Sequence, residues 1–342
     1  MTPKTYKEIH LVNRPEGVPA DDDFAFIEKE MVPLGEGEVL VKTLYLSVDP
    51  YMRGRMRDVK SYVAPYKLNE AIKGGALAEV IESNSGLLQK GDIVNGTMKW
   101  AEYNIVKAER VQKVDPTIAP ITTRLGILGL TGLTAYFGLL DIGKPQEGET
   151  VVVSGAAGAV GSVVGQIAKL KGARAVGIAG SQEKIDYLIN ELGYDAAVNY
   201  KSESFKEDFK GVVPDGVDVY FDNVGGEVSD AVILELNNKS RVVLCGTISS
   251  YNSPEKDLGP RIQWKFITTS SMMKGFTLGD YASDFAKGAA DLGKWLQEGK
   301  LKYEETVVEG FENTPKAFLG LFEGKNIGKL LVKVADPEFA EL

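Results

Sequence analysis

The sequence predicts an α/β fold in which a β-rich domain is followed by a doubly wound parallel sheet. Short apolar runs bounded by turn residues fill the N-terminal third of the chain. From Thr150 onward, strand-like and helix-like segments alternate, which is typical of a parallel sheet with helices on both faces. At the start of this alternation, residues 151–172 join an apolar run, a glycine-rich turn and an Ala/Val-rich segment.

Composition limits the classes of function. A chain of 342 residues predicts two domains, and 44% hydrophobic with 25% charged residues is typical of a soluble globular protein. The net charge of -9 argues against a general nucleic-acid or acidic-membrane binder. The longest apolar stretch, residues 125–140, is short for a membrane span and contains four glycines. No secretory signal is recognised in the first 17 residues, so a cytoplasmic location is expected.

The N-terminal third reads as a succession of short strands. His10 lies in the first predicted strand, and further strands are predicted within residues 37–50, 74–96 and 101–114. Strands of this length favour a small barrel-like domain.

The second half predicts six strands and their connecting helices. The strands are expected within residues 151–154, 173–178, 196–199, 217–226, 241–246 and the β-prone run 267–278. Helices are expected within residues 161–172, 181–192, 228–236 and 281–298. A tail of strand (304–308), helix (314–322) and strand (329–334) is expected to return to the first domain. The predicted domains are therefore 1–127 with 299–342, and 128–298.

The glycine turn is the strongest functional signal. Gly155, Gly158 and Gly161 follow a buried strand and precede a helix, the context of a Rossmann dinucleotide site. Glycine lets a pyrophosphate approach the backbone, and the N–H groups and dipole of the helix then bind it. The spacing G-x-x-G-x-x-G is less specific than G-x-G-x-x-G, and a turn without a ligand is the alternative.

The end of the second predicted strand favours NADP over NAD. An NAD site usually has an acid there to bind the ribose 2′-OH, but residues 178–182 read IAGSQ. Lys184 follows on the next helix and suits an extra phosphate. Two alternatives stay open: Glu183 is the missing acid, or Lys184 is a solvated helix lysine.

The chain has one cysteine, Cys245, and one histidine, His10. They cannot form the usual zinc sites, so no metal is expected. Cys245 is expected to be a small wall residue rather than a nucleophile. Arg53, Arg55 and Arg57 alternate and would share one face if extended, either to attract an anionic substrate or as a solvated edge.

Together, these motifs resemble a known family over nearly the whole chain. The residues that carry the resemblance are YLSVDPYMRGRM, AAGAVGSVVGQIAK, AGSQEK, NYK, YFDNVGGEV, LCGTISSYN, KGF and GKNIGKLLVKV. They are similar to the zinc-independent medium-chain dehydrogenase/reductases, in the branch of the alkenal double-bond reductases and prostaglandin reductases (leukotriene B4 12-hydroxydehydrogenases). The resemblance implies a GroES-like β-rich domain beside the Rossmann domain.

The resemblance also implies a reaction and its residues. NADPH would deliver a hydride to the β-carbon of an α,β-unsaturated ketone or aldehyde. Tyr251 would hydrogen-bond the substrate carbonyl, and Tyr51 and Tyr62 would lie at the substrate cleft. The expected cofactor-binding residues are Gly155, Gly158, Ala159, Val160, Gly161, Gly180, Ser181, Lys184, Tyr200, Asn223, Cys245, Gly246, Ile248, Phe276 and Asn326. A homodimer formed through the sheet edge near residues 267–273 is also implied.

Two other functions stay open at this point. One is an NADPH-dependent quinone oxidoreductase, and the other is a catalytically idle NADPH-binding protein. Tyr251 has its own alternative, as an aromatic anchor of its loop. The natural substrate, the stereochemistry and the direction of the reaction do not follow from the sequence.

Overall fold

The computed structural model describes residues 3–340, which form two compact units. The first unit comprises residues 3–125, Glu305–Asn326 and residues 330–340, and the second comprises Gly126–Glu304 and Ile327–Lys329. The chain therefore leaves the first unit after Leu125 and returns to it at Glu305. The functional domain boundaries expected from the sequence, at 127/128 and 298/299, stay a prediction.

Strands and helices account for most of the chain. The strands are β1 (Thr5–Leu11), β2 (Phe24–Glu30), β3 (Glu38–Ser47), β4 (Glu70–Ala71), β5 (Lys73–Ser83), β6 (Ile93–Lys99), β7 (Tyr103–Lys107), β8 (Gln112–Lys113), β9 (Thr150–Ser154), β10 (Arg174–Ala179), β11 (Ala196–Asn199), β12 (Val217–Asp222), β13 (Leu236–Leu244), β14 (Met272–Gly275), β15 (Glu305–Glu309) and β16 (Lys329–Lys333). The α-helices are α1 (Tyr51–Arg55), α2 (Leu130–Phe137), α3 (Gly161–Leu170), α4 (Gln182–Asp186), α5 (Phe205–Val212), α6 (Gly226–Leu234), α7 (Gln263–Thr269), α8 (Phe285–Gln297) and α9 (Thr314–Phe322). Shorter helical turns are 3₁₀ at Asp21–Asp23, Ala108–Arg110, Ile121–Leu125, Ile248–Ser250, Leu278–Asp284 and Phe311–Asn313, and π at Gly138–Gly143 and Tyr187–Glu191.

The second unit contains a six-stranded parallel sheet in the order β11-β10-β9-β12-β13-β14. This order confirms the predicted doubly wound sheet. All five residues of β9 are buried, because a central strand of such a sheet is covered on both faces. The chain runs outward from β9 in both directions, and ligands bind beyond the carboxyl ends of the strands at such a point.

Close packing fixes helix α3 on this sheet. A Cβ on Gly165 would lie 1.9 Å from the ring of Tyr194, so only glycine leaves space for that ring. The buried Tyr194 hydroxyl then donates a 2.7 Å hydrogen bond to the carbonyl of Gly161, the first residue of α3. The tyrosine therefore holds the N-terminus of α3 in place.

The first unit contains two β-sheets and two clusters of buried hydrophobic side chains. Three strands pair in the order β2-β1-β4, and the larger sheet follows the order β15-β16-β3-β5-β6-β8 with β7 on β3. Trp100 is fully buried and meets Phe318 of α9 edge-to-face, with 6.0 Å between ring centroids. The N-terminal β-rich unit expected from the sequence is confirmed.

In the first unit, the buried carboxylate of Glu8 is paired with Lys99 and His10. Glu8 accepts hydrogen bonds from Lys99 at 2.6 Å and contacts the His10 ring at 2.9 Å. Burial alone would raise the pKa of Glu8, but the bonds and positive charge from Lys99 and His10 outweigh it and lower that pKa. His10 lies in β1, as predicted, and its other ring nitrogen contacts the carbonyl of Asn69.

Two segments differ in part from the expectation. Arg53 and Arg55 lie on helix α1 and not on an extended segment, so the alternating arginines do not share one face. Arg53 is buried and donates to the carbonyls of Pro15 and Gly17. The run 267–278 is only partly a strand, since Ile267–Thr269 completes α7 before β14 begins. Among the described residues, no helix is both long and apolar enough to cross a membrane.

Candidate cofactor site

The glycines of the turn between β9 and α3 leave space that larger side chains would fill. Gly155 has φ +60°, a backbone conformation that glycine adopts without strain. A Cβ on Gly161 would lie 2.4 Å from the carbonyl oxygen of Gly155, so α3 packs here against bare backbone. Within residues 3–340, no acceptor takes the N–H of Ala159 or Val160. Half-exposed donors at the N-terminus of a ten-residue helix suit a phosphate.

The carboxyl end of β10 lies beside the end of β11. Ala179 pairs with Asn199, so Gly180 and Tyr200 follow at the same edge of the sheet. A Cβ on Gly180 would lie 2.8 Å from the Tyr200 ring, so the ring lies directly against glycine backbone. Gly180 and Tyr200, both predicted cofactor residues, are thus in contact.

Ser181 and Lys184 stand where the acid of an NAD site would be. The Ser181 hydroxyl caps α4 by accepting the N–H of Lys184 at 3.4 Å. Burial lowers the pKa of Lys184, and the neighbouring positive charge of Lys201 lowers it further, while Glu183 opposes both. This end of β10 therefore presents small neutral groups and positive charge, which fit a phosphorylated ribose.

The carboxyl ends of β9 and β12 are joined through the buried Asp222. One of its carboxylate oxygens accepts hydrogen bonds from the Ser154 hydroxyl at 3.0 Å and from the N–H groups of Val224 and Gly225. Asn223 completes the link, because its carboxamide donates to the Ser154 carbonyl at 2.8 Å. This network fixes the backbone that carries Asn223 between two strand ends.

The end of β13 is tied to the same turn. The N–H groups of Cys245 and Gly246 both donate to the carbonyl of Asp222, at 2.8 and 3.1 Å. The N–H of Ile248 donates to the carbonyl of Asn223 at 3.4 Å. Burial and the Asp222 carboxylate raise the pKa of the Cys245 thiol to about 12, so it stays protonated at neutral pH. The thiol is therefore not a ready nucleophile.

Tyr251 follows the short helical turn after β13. Its hydroxyl oxygen lies 3.4 Å from the position of a Cβ on Gly246, so it faces the β13 end. Burial raises the pKa of Tyr251, although hydrogen bonds from Thr247 oppose this. The hydroxyl is thus a protonated donor beside Gly246 at neutral pH.

The remaining predicted residues lie on separate elements. Phe276 follows β14 in the second unit, and its ring meets Tyr281 edge-to-face at 6.2 Å. Tyr51, Tyr62 and Asn326 belong to the first unit. Tyr51 begins α1, and burial followed by the Asp49 charge raises its pKa. Tyr62 is 70% exposed, and Asn326 lies between α9 and β16.

Comparison with known proteins agrees with this geometry. Residues 7–114 match a family model described as the N-terminal domain of oxidoreductase, and residues 159–295 match one described as zinc-binding dehydrogenase. YfmJ of Bacillus subtilis, an NADP-dependent oxidoreductase by name, is 59% identical over 97% of this chain and 98% of its own. The NADPH-dependent curcumin reductase of Escherichia coli is 42% identical over 95% and 96%.

Two further similarities come from a mammalian enzyme and a solved structure. Prostaglandin reductase 1 of Mus musculus is 45% identical over 93% of this chain and 96% of its own. The crystal structure of CurA from Vibrio vulnificus in complex with NADPH superposes with a TM-score of 0.92. It is 42% identical and covers 97% of this chain and 100% of that one. The chain belongs to the zinc-independent medium-chain dehydrogenase/reductases, in the branch of the alkenal and prostaglandin reductases.

The description of one of these family models mentions zinc. Over residues 3–340, no three His, Cys, Asp or Glu side chains are grouped to hold a metal ion. The ring of the single histidine is engaged by Glu8 and by the backbone of Asn69.

Sequence reasoning missed several residues of this medium-chain reductase that shape the site. Ser154 and Asp222 hold Asn223, and Thr247 bonds to the Tyr251 hydroxyl. Lys201 contributes charge beside Lys184. Ser154 and Asp222 lie at strand ends within recognised motifs, so their position in the sequence could have indicated them. The bond between Thr247 and Tyr251 depends on the loop conformation and has no sequence signal.

Proposed function

We propose that this protein uses NADPH to reduce the carbon–carbon double bond of α,β-unsaturated ketones or aldehydes. The main support for the proposal is where three features lie. The glycine turn, Lys184 and Tyr251 follow the carboxyl ends of the parallel strands β9, β10 and β13. Relatives named NADPH-dependent curcumin reductase and NADP(+)-dependent 2-alkenal reductase, the latter from Nicotiana tabacum and 41% identical, support the same substrate class.

The cofactor would be held by groups that the fold presents without rearrangement. The free N–H groups of Ala159 and Val160 would bind the pyrophosphate, and Lys184 with Ser181 the 2′-phosphate. Further proposed contacts come from Gly155, Gly158, Gly161, Gly180, Tyr200, Asn223, Cys245, Gly246, Ile248, Phe276 and Asn326. When bound, NADPH supplies a hydride to the β-carbon of the substrate.

Tyr251 is proposed to stabilise the charge that the reduction creates. Negative charge develops on the carbonyl oxygen as the β-carbon is reduced, and a fixed donor to that oxygen lowers the barrier. Burial keeps the Tyr251 hydroxyl protonated, and its bonds with Thr247 orient it. The proton at the α-carbon comes from solvent or from this hydroxyl. Tyr51 and Tyr62 are proposed to contact the substrate.

Tyr251→Phe tests this role. The change removes one hydrogen bond to developing charge, so we expect kcat with an enone to fall about 10- to 100-fold while NADPH affinity stays within about twofold. Tyr187→Phe is the matched control, since Tyr187 lies on the helical segment after α4 and its buried hydroxyl has no partner among the described residues. Wild-type turnover of several enones by Tyr251→Phe would remove the residue from the mechanism.

A substrate screen decides between the proposal and its alternatives. Oxidation of NADPH, with NADH alongside, is followed with an alkenal, an enone and a quinone. We expect turnover with the first two and a preference for NADPH. Turnover with the quinone alone would make the protein a quinone oxidoreductase. Tight NADPH binding without turnover on any acceptor would make it a cofactor-binding protein without this activity.

We also propose a cytoplasmic homodimer formed along the outer strand β14. This strand ends the parallel sheet, and Trp264 and Ile267 on the preceding α7 are 73% and 68% exposed. An open sheet edge beside exposed apolar groups favours self-association. Sedimentation should therefore give a dimer for the wild type and a smaller species for Trp264→Glu. A monomeric wild type would contradict the dimer, and cell fractionation tests the location.

A further inference from the structure

A second lysine stands next to the proposed 2′-phosphate site. Strand β11 runs parallel to β10, so Tyr200 and Lys201 emerge beside Gly180. Two hydrogen bonds fix the chain where it leaves β11. The N–H of Tyr200 donates to the Ala179 carbonyl at 3.0 Å, and the N–H of Lys201 donates to the Asn199 side chain at 3.0 Å. The direction in which the chain leaves β11 is therefore set by β10 and by Asn199.

The side chain of Lys201 stays close to this strand end. Its ammonium lies 5.9 Å from the centroid of the Tyr200 ring, at the outer limit of a cation–π contact. The same ring lies against Gly180, so the Tyr200 ring neighbours both the ammonium of Lys201 and the end of β10. In the part of the chain that the structure describes, no carboxylate forms an ion pair with Lys201.

Lys201 and Lys184 are close enough to repel each other. The pKa of Lys184 is lowered first by burial and then by the charge of Lys201, while Glu183 only partly offsets this. By contrast, Lys169 on the same unit forms an ion pair with Asp195 at 2.6 Å. Two cations held at one strand end would be favoured by a ligand group carrying two negative charges.

We propose that Lys201 is a second cation of the 2′-phosphate subsite and sets the preference for NADPH over NADH together with Lys184. This inference rests on the proposed NADPH-dependent function. The ribose of a dinucleotide lies at the end of the second strand, here β10, and a 2′-phosphate is the only part of NADPH that NADH lacks. The pyrophosphate is assigned to the α3 N-terminus, on the other side of β10, so it does not account for Lys201.

Lys201→Met tests the proposal while keeping the length of the side chain. We expect the Kd of NADPH to rise about two- to fivefold, as for the loss of one exposed ion pair, with the Kd of NADH unchanged. The dependence of NADPH affinity on salt should weaken too, because one charge contact is gone. Lys201→Arg should retain NADPH affinity. Lys184→Met should have the larger effect, since Lys184 is half-buried.

Lys171→Met is the matched control. Lys171 is an exposed lysine at the other end of α3, so it changes the net charge equally, but it lies just before β10 begins, at the opposite end of that strand from Gly180. Binding of 2′,5′-ADP and 5′-AMP locates the effect, because only the first carries the 2′-phosphate. We expect Lys201→Met to weaken 2′,5′-ADP and to leave 5′-AMP unchanged.

Each outcome separates the inference from the proposed function. Equal weakening of NADPH and NADH by Lys201→Met, or no change in either, would overturn the role of Lys201. The proposed function would still stand if the wild type prefers NADPH and Lys184→Met removes that preference. A wild type that binds NADH as tightly as NADPH would instead remove the basis of both.

Discussion

Two regions of this reductase use charge in opposite ways: the buried Arg53 and Glu79 of the first unit, and the end of β10 in the second. In the first unit, Arg53 and Glu79 are fully buried, and both bond to the backbone: Arg53 donates to two carbonyls, and Glu79 accepts three N–H groups. In the second unit, Lys184 is half-buried beside Lys201, a charge of the same sign. Charges of the first kind stabilise the fold, whereas charges of the second kind favour an anionic ligand.

The same contrast holds for backbone donors. The carboxylate of Glu79 accepts the N–H groups of Glu338, Phe339 and Ala340, so the tail of the first unit satisfies its own donors. At the start of α3, the N–H groups of Ala159 and Val160 have no acceptor in residues 3–340. Unsatisfied donors at a helix N-terminus are available to a ligand, whereas satisfied donors stabilise the fold.

Gly161→Ala gives the largest expected effect and acts on binding. The new Cβ would lie 2.4 Å from the Gly155 carbonyl oxygen and 2.7 Å from the Ala156 Cα, and neither backbone atom can move without shifting the turn. We expect NADPH affinity to fall about 100-fold or more, and stability to fall by about 1–3 kcal/mol from overpacking. Fluorescence titration with NADPH and urea unfolding measure the two effects.

Gly211→Ala is the control for this prediction. Gly211 lies in α5, and a Cβ there would meet nothing within 4 Å. Alanine is the better helix former, so stability should rise by about 0.4–1 kcal/mol with NADPH affinity unchanged. If Gly161→Ala bound NADPH like the wild type, the glycine turn would not be the cofactor cradle.

The fold was predictable wherever local pattern and global packing agree. The run of buried valines in β9 and the alternation after it predict the parallel sheet, because central strands need apolar residues on both faces. The alternation of the arginines did not indicate their structure. Arg53 lies on α1, and its buried side chain donates to the carbonyls of Pro15 and Gly17. Those carbonyls are far from Arg53 in the sequence, so no local pattern predicts the hydrogen bonds.

The site was predictable to the extent that it depends on strand ends. Gly155, Gly180, Asn223 and Gly246 all follow strands of the parallel sheet, and topology alone brings such residues to one edge. The network through Asp222 was not predicted, because it depends on which lone pairs of a buried carboxylate meet which donors. The resemblance to the family predicted which residues belong to the site, whereas the hydrogen bonds that position them are seen only in the structure.

Glu79→Gln should act on stability alone, without the loss of NADPH affinity that is expected of Gly161→Ala. The change removes the charge that accepts three backbone N–H groups and turns one acceptor oxygen into a donor facing them. Hydrogen bonds to a charged group are worth about 1.5–3 kcal/mol, so we expect the free energy of unfolding to fall by about that amount. The urea midpoint should drop, with the Kd of NADPH unchanged.

Glu82→Gln makes this a matched comparison. Glu82 lies on the same strand, β5, but its side chain is exposed, so the same chemical change should alter the free energy of unfolding by less than about 0.5 kcal/mol. If Glu79→Gln weakened NADPH binding as much as it weakened folding, buried charge in the first unit would also serve the ligand. The contrast between the stabilising charges of the first unit and the charges at the β10 end would then fail, because one carboxylate would do both.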